Sequence, residues 1–254
     1  VTRYTIGINP LRQSIRHNPR ILRGINPGCQ KDFANISMLF RALDAYTVCP
    51  VEFPAGEIAL KLVLASTSPF RKELLGRLQI PFDTMNPEID EQRFESESAT
   101  DTVQRLAQEK AQAVALRITE GLIIGSDQCA VLGDKILGKP GSFDNAINQL
   151  RESSGQTVVF HTGLCLLDAA TGNAQVEDVE FKVRFRKLSD EQIENYLKRE
   201  DALSCAGSFK SEALGITLFE SMEGEDPTSL IGLPLIRLTS MLAREGISLP
   251  LPHG

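Results

Sequence analysis

The stretch Leu62-Val63-Leu64-Ala65-Ser66-Thr67-Ser68-Pro69-Phe70-Arg71-Lys72-Glu73-Leu74-Leu75-Gly76-Arg77-Leu78 decides how the rest of the chain is read. Its first four residues are uniformly apolar, the pattern of a buried strand. Three hydroxyl residues follow, and Pro69 then opens a segment carrying Leu74, Leu75 and Leu78 at helical spacing. Ser68 suits the N-cap and Pro69 the first helical position, where its missing N–H costs nothing. A strand, a short polar turn and a helix start form an anion site, because the first backbone N–H groups lack partners and the helix dipole turns its positive end toward the turn. Arg71 and Lys72 put two cations in that first turn, against the dipole; a bound anion offsets the cost. The expectation is a phosphate site. Taken alone, the stretch is equally well explained as an ordinary capped helix with solvated cations.

Composition narrows what surrounds it. With 254 residues, 42% of them hydrophobic and 24% charged, the chain has the profile of a soluble globular protein with a proper core. No run of about 18 apolar residues occurs, so no membrane span is expected. Five scattered cysteines, without CxxC or Cys/His spacing, point to reduced thiols and a cytoplasmic protein. Of three histidines, His17 and His253 lie near the ends, which argues against a zinc site or a histidine triad.

Charge is uneven along the chain. Residues 1–60 hold seven Lys/Arg against four Asp/Glu, and the remainder twenty against twenty-nine. An acidic body argues against nucleic-acid binding. Before Asp32 there is no acidic residue, while Arg3, Arg12, Arg16, Arg20 and Arg23 recur among Asn, Pro and Gly. A transit peptide, a flexible tail and a regulatory arm all fit this segment; the favoured expectation is a start codon assigned too far upstream. Residues 1–60 are thus read as an extension, disordered or a start-site artefact, with a short helix over 36–46. The main domain is set at 61–248 and a tail at 249–254.

From Lys61 onward the pattern is regular. Pro81 to Asp83 is an extended segment, and Pro87-Glu88-Ile89-Asp90-Glu91 a loop with three carboxylates. The spacing of Val103, Leu106, Ala107 and Val114 predicts a helix over about Asp101–Arg117, and Lys110 falls on its apolar face. Such a lysine either snorkels to an edge or points into a cleft. Gly121 to Gly125 reads as a second buried strand ending at Ser126-Asp127-Gln128, which puts an acid where α/β proteins place their chemistry. A strand-end aspartate also caps turns. A hairpin through Gly133-Asp134 brings Lys139 back toward Asp127. A helix over Ser142–Ser153, a strand over Thr157–Leu167 and an alternating strand through Val179, Phe181, Val183 and Phe185 follow. Ser189 with Gln192 is a capping box. Cys205 to Glu212 is a small-residue loop with one cation and one carboxylate, Ile216–Phe219 a strand, and Leu233–Glu245 a final helix.

Three loops then combine cations, small residues and acids: Ser66 to Arg71, Asp127 to Lys139, and Gly207 to Glu212. Phosphoryl transfer needs that mixture, with cations and N–H groups spreading phosphate charge and carboxylates holding a metal or orienting water. No Walker loop, kinase signature or dinucleotide fingerprint is present.

The strings ASTSPFRKELL, PEIDE, LAQEKA, IIGSDQ, GKP and AGSFKSE, in this order, resemble the Maf family of nucleoside triphosphate pyrophosphatases, and within it the bacterial branch acting on 7-methyl-GTP. The resemblance covers about residues 61–248. It implies an α/β fold, a single Maf/ITPase-like domain whose mixed sheet forms two lobes around a central nucleotide-binding cleft. It also implies cleavage between the α and β phosphates with a divalent metal, Mg2+ or Mn2+, and a homodimer. Carried over motif by motif, Asp127 matches the proton acceptor, Ser66 and Arg71 the phosphate loop, and Glu91, Lys110 and Lys139 the cleft. Phe70, Gln128 and Glu212 match the positions that set base preference; Asp127 and Glu91 are the candidate metal ligands.

The chemistry of the base pocket is sensible in itself. Methylation at N7 leaves guanine cationic, and an aromatic face attracts a cation by roughly 0.5–2 kcal/mol. A carboxylate accepts from N1–H and the 2-amino group together, a pairing that thymine and uracil cannot offer. Two residues depart from the branch pattern: Lys72 replaces a common arginine and Ala213 a common glycine. The alternatives are a relative that clears dTTP, UTP or other non-canonical nucleotides, and a non-catalytic nucleotide-binding regulator of septum formation.

Overall fold

A computed structural model describes residues 61–252. The expectations for residues 1–60, the helix over 36–46 among them, and for the last two residues lie outside the described residues.

The opening strand and helix form as the sequence dictates. β1 (Leu62–Leu64) is wholly buried, and α1 (Pro69–Gly76) starts at Ser68, whose hydroxyl accepts from Arg71 N at 3.4 Å. Leu74 and Leu75 are buried under α1, while Leu78 is only half-buried. β2 (Asp83–Thr84) runs parallel to β1. α2 (Ala99–Ala115) begins at a capping box of Ser98 and Asp101 and buries Val103, Leu106, Ala107, Lys110 and Val114 along one face, as the helical spacing predicted.

Seven strands make one mixed sheet in the order β2-β1-β3-β5-β6-β7, with β4 also on β3. β3 (Leu122–Leu132) is parallel to β1 and antiparallel to β4 (Lys135–Leu137) and β5 (Thr157–Asp168). β6 (Ala174–Phe185) pairs antiparallel with β5 and with β7 (Phe219–Gly224). In β6 the predicted alternation holds: Val179, Phe181, Val183 and Phe185 are buried, and Lys182 and Arg184 are exposed. α3 (Phe143–Ser153), α4 (Asp190–Leu197) and α5 (Leu235–Arg244) complete the element order, and the capping box of Ser189 and Gln192 opens α4.

Two apolar clusters are defined among the described residues. One joins β1, α2 and the first half of β3 through Val63, Ala107, Ala111 and Ile123; the other gathers Leu137, Leu150, Phe160, Phe185, Phe209 and Phe219 against α3 and α4.

Two expectations need correction. β3 does not end at Ser126-Asp127-Gln128 but continues to Leu132, so Asp127 lies mid-strand. The polar trio looked like a turn because its side chains are claimed by partners on other elements rather than by solvent. Of residues 216–219 only the last is in a strand: Leu214–Leu218 is a tight 3-10 turn and β7 begins at Phe219. Gly215 packs its bare Cα against the Lys210 carbonyl, where a Cβ would collide, and this close contact coils the apolar run.

Candidate active site

The mid-strand aspartate sits in a gap in the sheet. Along one edge, β3 pairs with β5 over its full length. Along the other, β1 pairs only as far as Ile124 and β4 only from Ala130. The intervening residues of β3 therefore face the Ser66–Arg71 turn on one side and the Gly138–Lys139 turn on the other.

Helix α2 approaches this gap closely because two glycines permit it. A Cβ on Gly125 would collide with the Ala107 carbonyl, and one on Gly163 with that of Val103. Without those atoms the helix lies almost on the strands, and Lys110, 3% exposed, reaches Asp127. Its Nζ donates to Asp127 Oδ1 at 2.7 Å and stands 2.7 Å from Glu91 Oε1. Lys110 thus points into the cleft, not toward a distant edge. Burial would raise the Glu91 pKa, but the hydrogen bond and charge of Lys110, with Lys139 and Arg71, hold it below the usual carboxylate value.

Arg71 turns in from α1. Its Nε donates to the Gly232 carbonyl at 2.8 Å, and Ser126 Oγ donates to the same carbonyl at 3.0 Å. Burial pulls the guanidinium pKa down, while Asp127 and Glu91 act in the opposite direction. Arg71 is half-buried and lines the cavity, where its guanidinium fork suits an anion. Gly232 takes φ of 116°, in the left-handed region that favours glycine. Ser66, 7% exposed, accepts from Ser68 N at 3.1 Å and shapes the turn beside it.

The loop carrying Gly232 is itself fastened to the sheet. Gln128 Nε2 donates to the carbonyls of Ser229 at 2.6 Å and Leu230 at 3.1 Å, and Thr162 Oγ1 donates to Ser229 at 3.0 Å. Buried Asp226 accepts from Thr228 on one oxygen and from Ile236 N and Arg237 N on the other, which caps α5. The Gln128 amide nitrogen is therefore spent on this loop, leaving its oxygen for other partners.

All nine residues singled out from the sequence line one cavity of about 650 Å³: Ser66, Phe70, Arg71, Glu91, Lys110, Asp127, Gln128, Lys139 and Glu212. The loop bearing Glu212 is held from beneath by Phe209, whose ring makes edge contacts with Phe160, Phe185 and Phe219 at 4.8–5.5 Å. Cys129 also lines the cavity. Burial first, then Asp127 and Asp178, push its thiol up to about 12, so it is not a nucleophile at neutral pH.

Sequence reasoning missed Gly232, Thr162, Ser229 and Asp226. The string Asp226-Pro227-Thr228-Ser229 carries the Asx and hydroxyl content of a built turn, but its docking on β3 is a contact across about 100 residues.

Asp127 and Glu91 each stand 2.7 Å from the Lys110 ammonium, which brings two carboxylates to one place in the cavity. The described residues hold no cluster of three or more His, Cys, Asp or Glu. That composition fits Mg2+, which takes one or two carboxylates and fills its other positions with water and substrate phosphate.

A 7-methyl-GTP pyrophosphatase of Pseudomonas putida is 56% identical over 75% of this chain and 100% of its own length. Proteins of the same name from Alcanivorax borkumensis and Pseudomonas aeruginosa are 57% and 53% identical, over 75% and 74% of this chain and 96% and 98% of theirs. Among solved structures, a HAM1 protein from Coxiella burnetii aligns with a TM-score of 0.38 and 12% identity over 51% of this chain and 74% of that one, too slight a likeness to build on. The family described as "Maf-like protein" matches residues 61–245, the whole span from β1 to the end of α5, and this chain belongs to it.

Proposed function

We propose that this chain is a nucleoside triphosphate pyrophosphatase that hydrolyses 7-methyl-GTP to 7-methyl-GMP and diphosphate. The observation that carries the reading is Lys110 joining Asp127 and Glu91 at the gap in β3, in a cavity that also holds Arg71, Phe70 and Glu212. The names of the relatives support the same substrate, and they favour it over dTTP or UTP.

In this reading Ser66, Arg71 and Lys139 hold the triphosphate. Lys110 fixes Asp127 through Oδ1, so Oδ2 is free to orient water and take its proton. The water oxygen bonds to the α-phosphorus, the bond from that phosphorus to the α,β-bridging oxygen breaks, and diphosphate leaves. Asp127 and Glu91 would hold Mg2+ or Mn2+, which when bound neutralises phosphate charge. Phe70 stacks on the cationic base and Glu212 accepts from its N1–H and 2-amino groups. The working unit in this proposal is residues 61–248, acting in the cytoplasm as a homodimer. No helix among the described residues is long and apolar enough to cross a membrane, and Cys129, Cys165 and Cys205 are free. Sedimentation equilibrium tests the dimer.

Hydrolysis in 18O-water tests the chemistry. The label is expected in 7-methyl-GMP and not in diphosphate; label in phosphate or diphosphate would mean attack at another phosphorus and would refute the scheme.

A further inference from the structure

The part of the cavity lined by Phe70 and Glu212 is also lined by Lys210. Its Nζ stands 6.0 Å from the centroid of the Phe70 ring and 3.0 Å from Glu200 Oε1. The other Glu200 oxygen receives Leu214 N at 3.4 Å, and Lys210 N donates to the Tyr196 hydroxyl at 3.1 Å. Lys210 is therefore held at its backbone and at its tip, and both side chains of the ion pair are mostly buried. Burial alone would lower the Lys210 pKa, but the hydrogen bond and charge of Glu200 raise it, so the group is a cation at neutral pH.

An ammonium has three donors, and Glu200 uses one. Two residues further on, Glu212 offers only acceptors. A donor thus stands over the Phe70 ring, and an acceptor two residues on in the same short loop lines the same cavity. A flat base in contact with Phe70 lies about 3.5 Å from the ring, and its rim then comes beside the Lys210 ammonium. Guanine carries an acceptor at O6 and donors at N1 and the 2-amino group. Methylation removes N7 as an acceptor, which leaves O6 as the acceptor for a cation on that side.

Resting on the pyrophosphatase reading above, we propose that Lys210 is a further specificity-determining residue, donating to O6 of a guanine base stacked on Phe70 while Glu212 takes the N1–H and 2-amino groups. Glu200 is the positioning residue for both, since its carboxylate holds the Lys210 tip with one oxygen and the Leu214 end of the loop with the other. A base with a 6-amino group sets donor against donor here and leaves the ammonium without an acceptor, the situation in which polar sites discriminate strongly.

The test uses two triphosphates that keep N1–H and the 2-amino group and differ only in the acceptor at C6, 7-methyl-GTP and 7-methyl-6-thio-GTP, whose sulfur is a weak acceptor, with the full chain. Lys210→Met is expected to lower kcat/KM for 7-methyl-GTP by about 10- to 100-fold and to leave the 6-thio substrate nearly unchanged, so that discrimination collapses. Lys210→Arg retains part of the preference. Because Lys210→Met strands Glu200, the double variant Lys210→Met/Glu200→Gln is run beside it, with thermal melts, and the same collapse is expected. An equal loss on both substrates would make Lys210 a phosphate ligand and overturn the proposal. If the wild type cleaves neither triphosphate, the pyrophosphatase reading fails and this one with it. If it cleaves 7-methyl-GTP and the variants keep its discrimination, only the role of Lys210 is lost.

Discussion

Lys110 Nζ donates to Asp127 Oδ1 at 2.7 Å, tying the middle of α2 to the middle of β3. The contact exists because Gly125 and Gly163 let the helix lie against the strands. The lysine bridges two carboxylates, Asp127 and Glu91, and offsets one of their two negative charges. Lys110→Met is therefore expected to lower stability by about 2–4 kcal/mol, the usual cost of stranding buried charge, and to reduce kcat by about 100-fold or more. Urea unfolding and steady-state kinetics measure the two effects; a variant as stable as the wild type would contradict this account of the pair.

Gly232 offers a carbonyl to Arg71 from a backbone conformation that alanine adopts poorly. An added Cβ would meet Arg71 atoms only at 3.6–4.0 Å, so there is room for it and the obstacle is φ of 116°. Gly232→Ala is expected to cost about 1–2 kcal/mol and to raise KM for triphosphate as the carbonyl shifts. Arg71→Lys removes both the fork and Nε, and kcat/KM should fall by about 10- to 100-fold. Retention of full kcat/KM in Arg71→Lys would show that a point charge suffices.

Gln128 and Thr162 fasten the Ser229–Gly232 turn to the sheet. Gln128→Ala leaves the Ser229 and Leu230 carbonyls short of a donor, and a loss of about 1–3 kcal/mol is expected. Gln128→Glu removes the donor at nearly constant volume, so both variants should weaken triphosphate binding in parallel by loosening Gly232 beneath Arg71. Isothermal titration with a non-hydrolysable triphosphate checks this; unaltered affinity in both would uncouple the turn from the site.

His161 and Asp178 form a separate pair beneath the N-terminus of α2, with Nδ1 2.7 Å from Oδ2 and Thr100 Oγ1 donating to the same oxygen at 2.8 Å. The hydrogen bond and charge of Asp178 raise the His161 pKa despite burial. Burial would raise Asp178, but His161 and Thr100 hold it below its ordinary value. For a raised histidine, the contribution is full below about pH 6.5 and is lost as pH climbs through the folded-state pKa. For a depressed aspartate it is full above about pH 3.9 and is lost as pH drops through the folded-state pKa. Melting temperature should therefore decline as pH rises above neutrality, and His161→Asn should flatten that decline. An identical pH slope in the variant would remove His161 as its source.

The Ser66–Ser68 turn with its helix and α2 were legible because local rules govern them: a cap, a proline and a 3.6-residue apolar period need no knowledge of distant chain. The period put Lys110 among buried residues, but only the tertiary approach decides between a snorkelling lysine and one aimed at Asp127. β3 was cut short because Ser126-Asp127-Gln128 is polar; Ser126 and Gln128 meet Gly232, Ser229 and Leu230, about 100 residues later in the chain, and Asp127 meets Lys110. β7 was misplaced because the contact between Gly215 and the Lys210 carbonyl is invisible to an alternation count. Lys210 was noted as the one cation of its loop, but neither its Glu200 partner nor its place beside Phe70 follows from spacing.

The most direct measurement is pyrophosphate release with Mg2+ from 7-methyl-GTP, GTP, dTTP and UTP, by the wild type and by Asp127→Asn. The account predicts that 7-methyl-GTP gives the highest kcat/KM and that Asp127→Asn loses about 100- to 10,000-fold while still binding nucleotide. Equal turnover of all four triphosphates would contradict the guanine reading of Phe70 and Glu212, and an Asp127→Asn variant as active as the wild type would contradict the site itself.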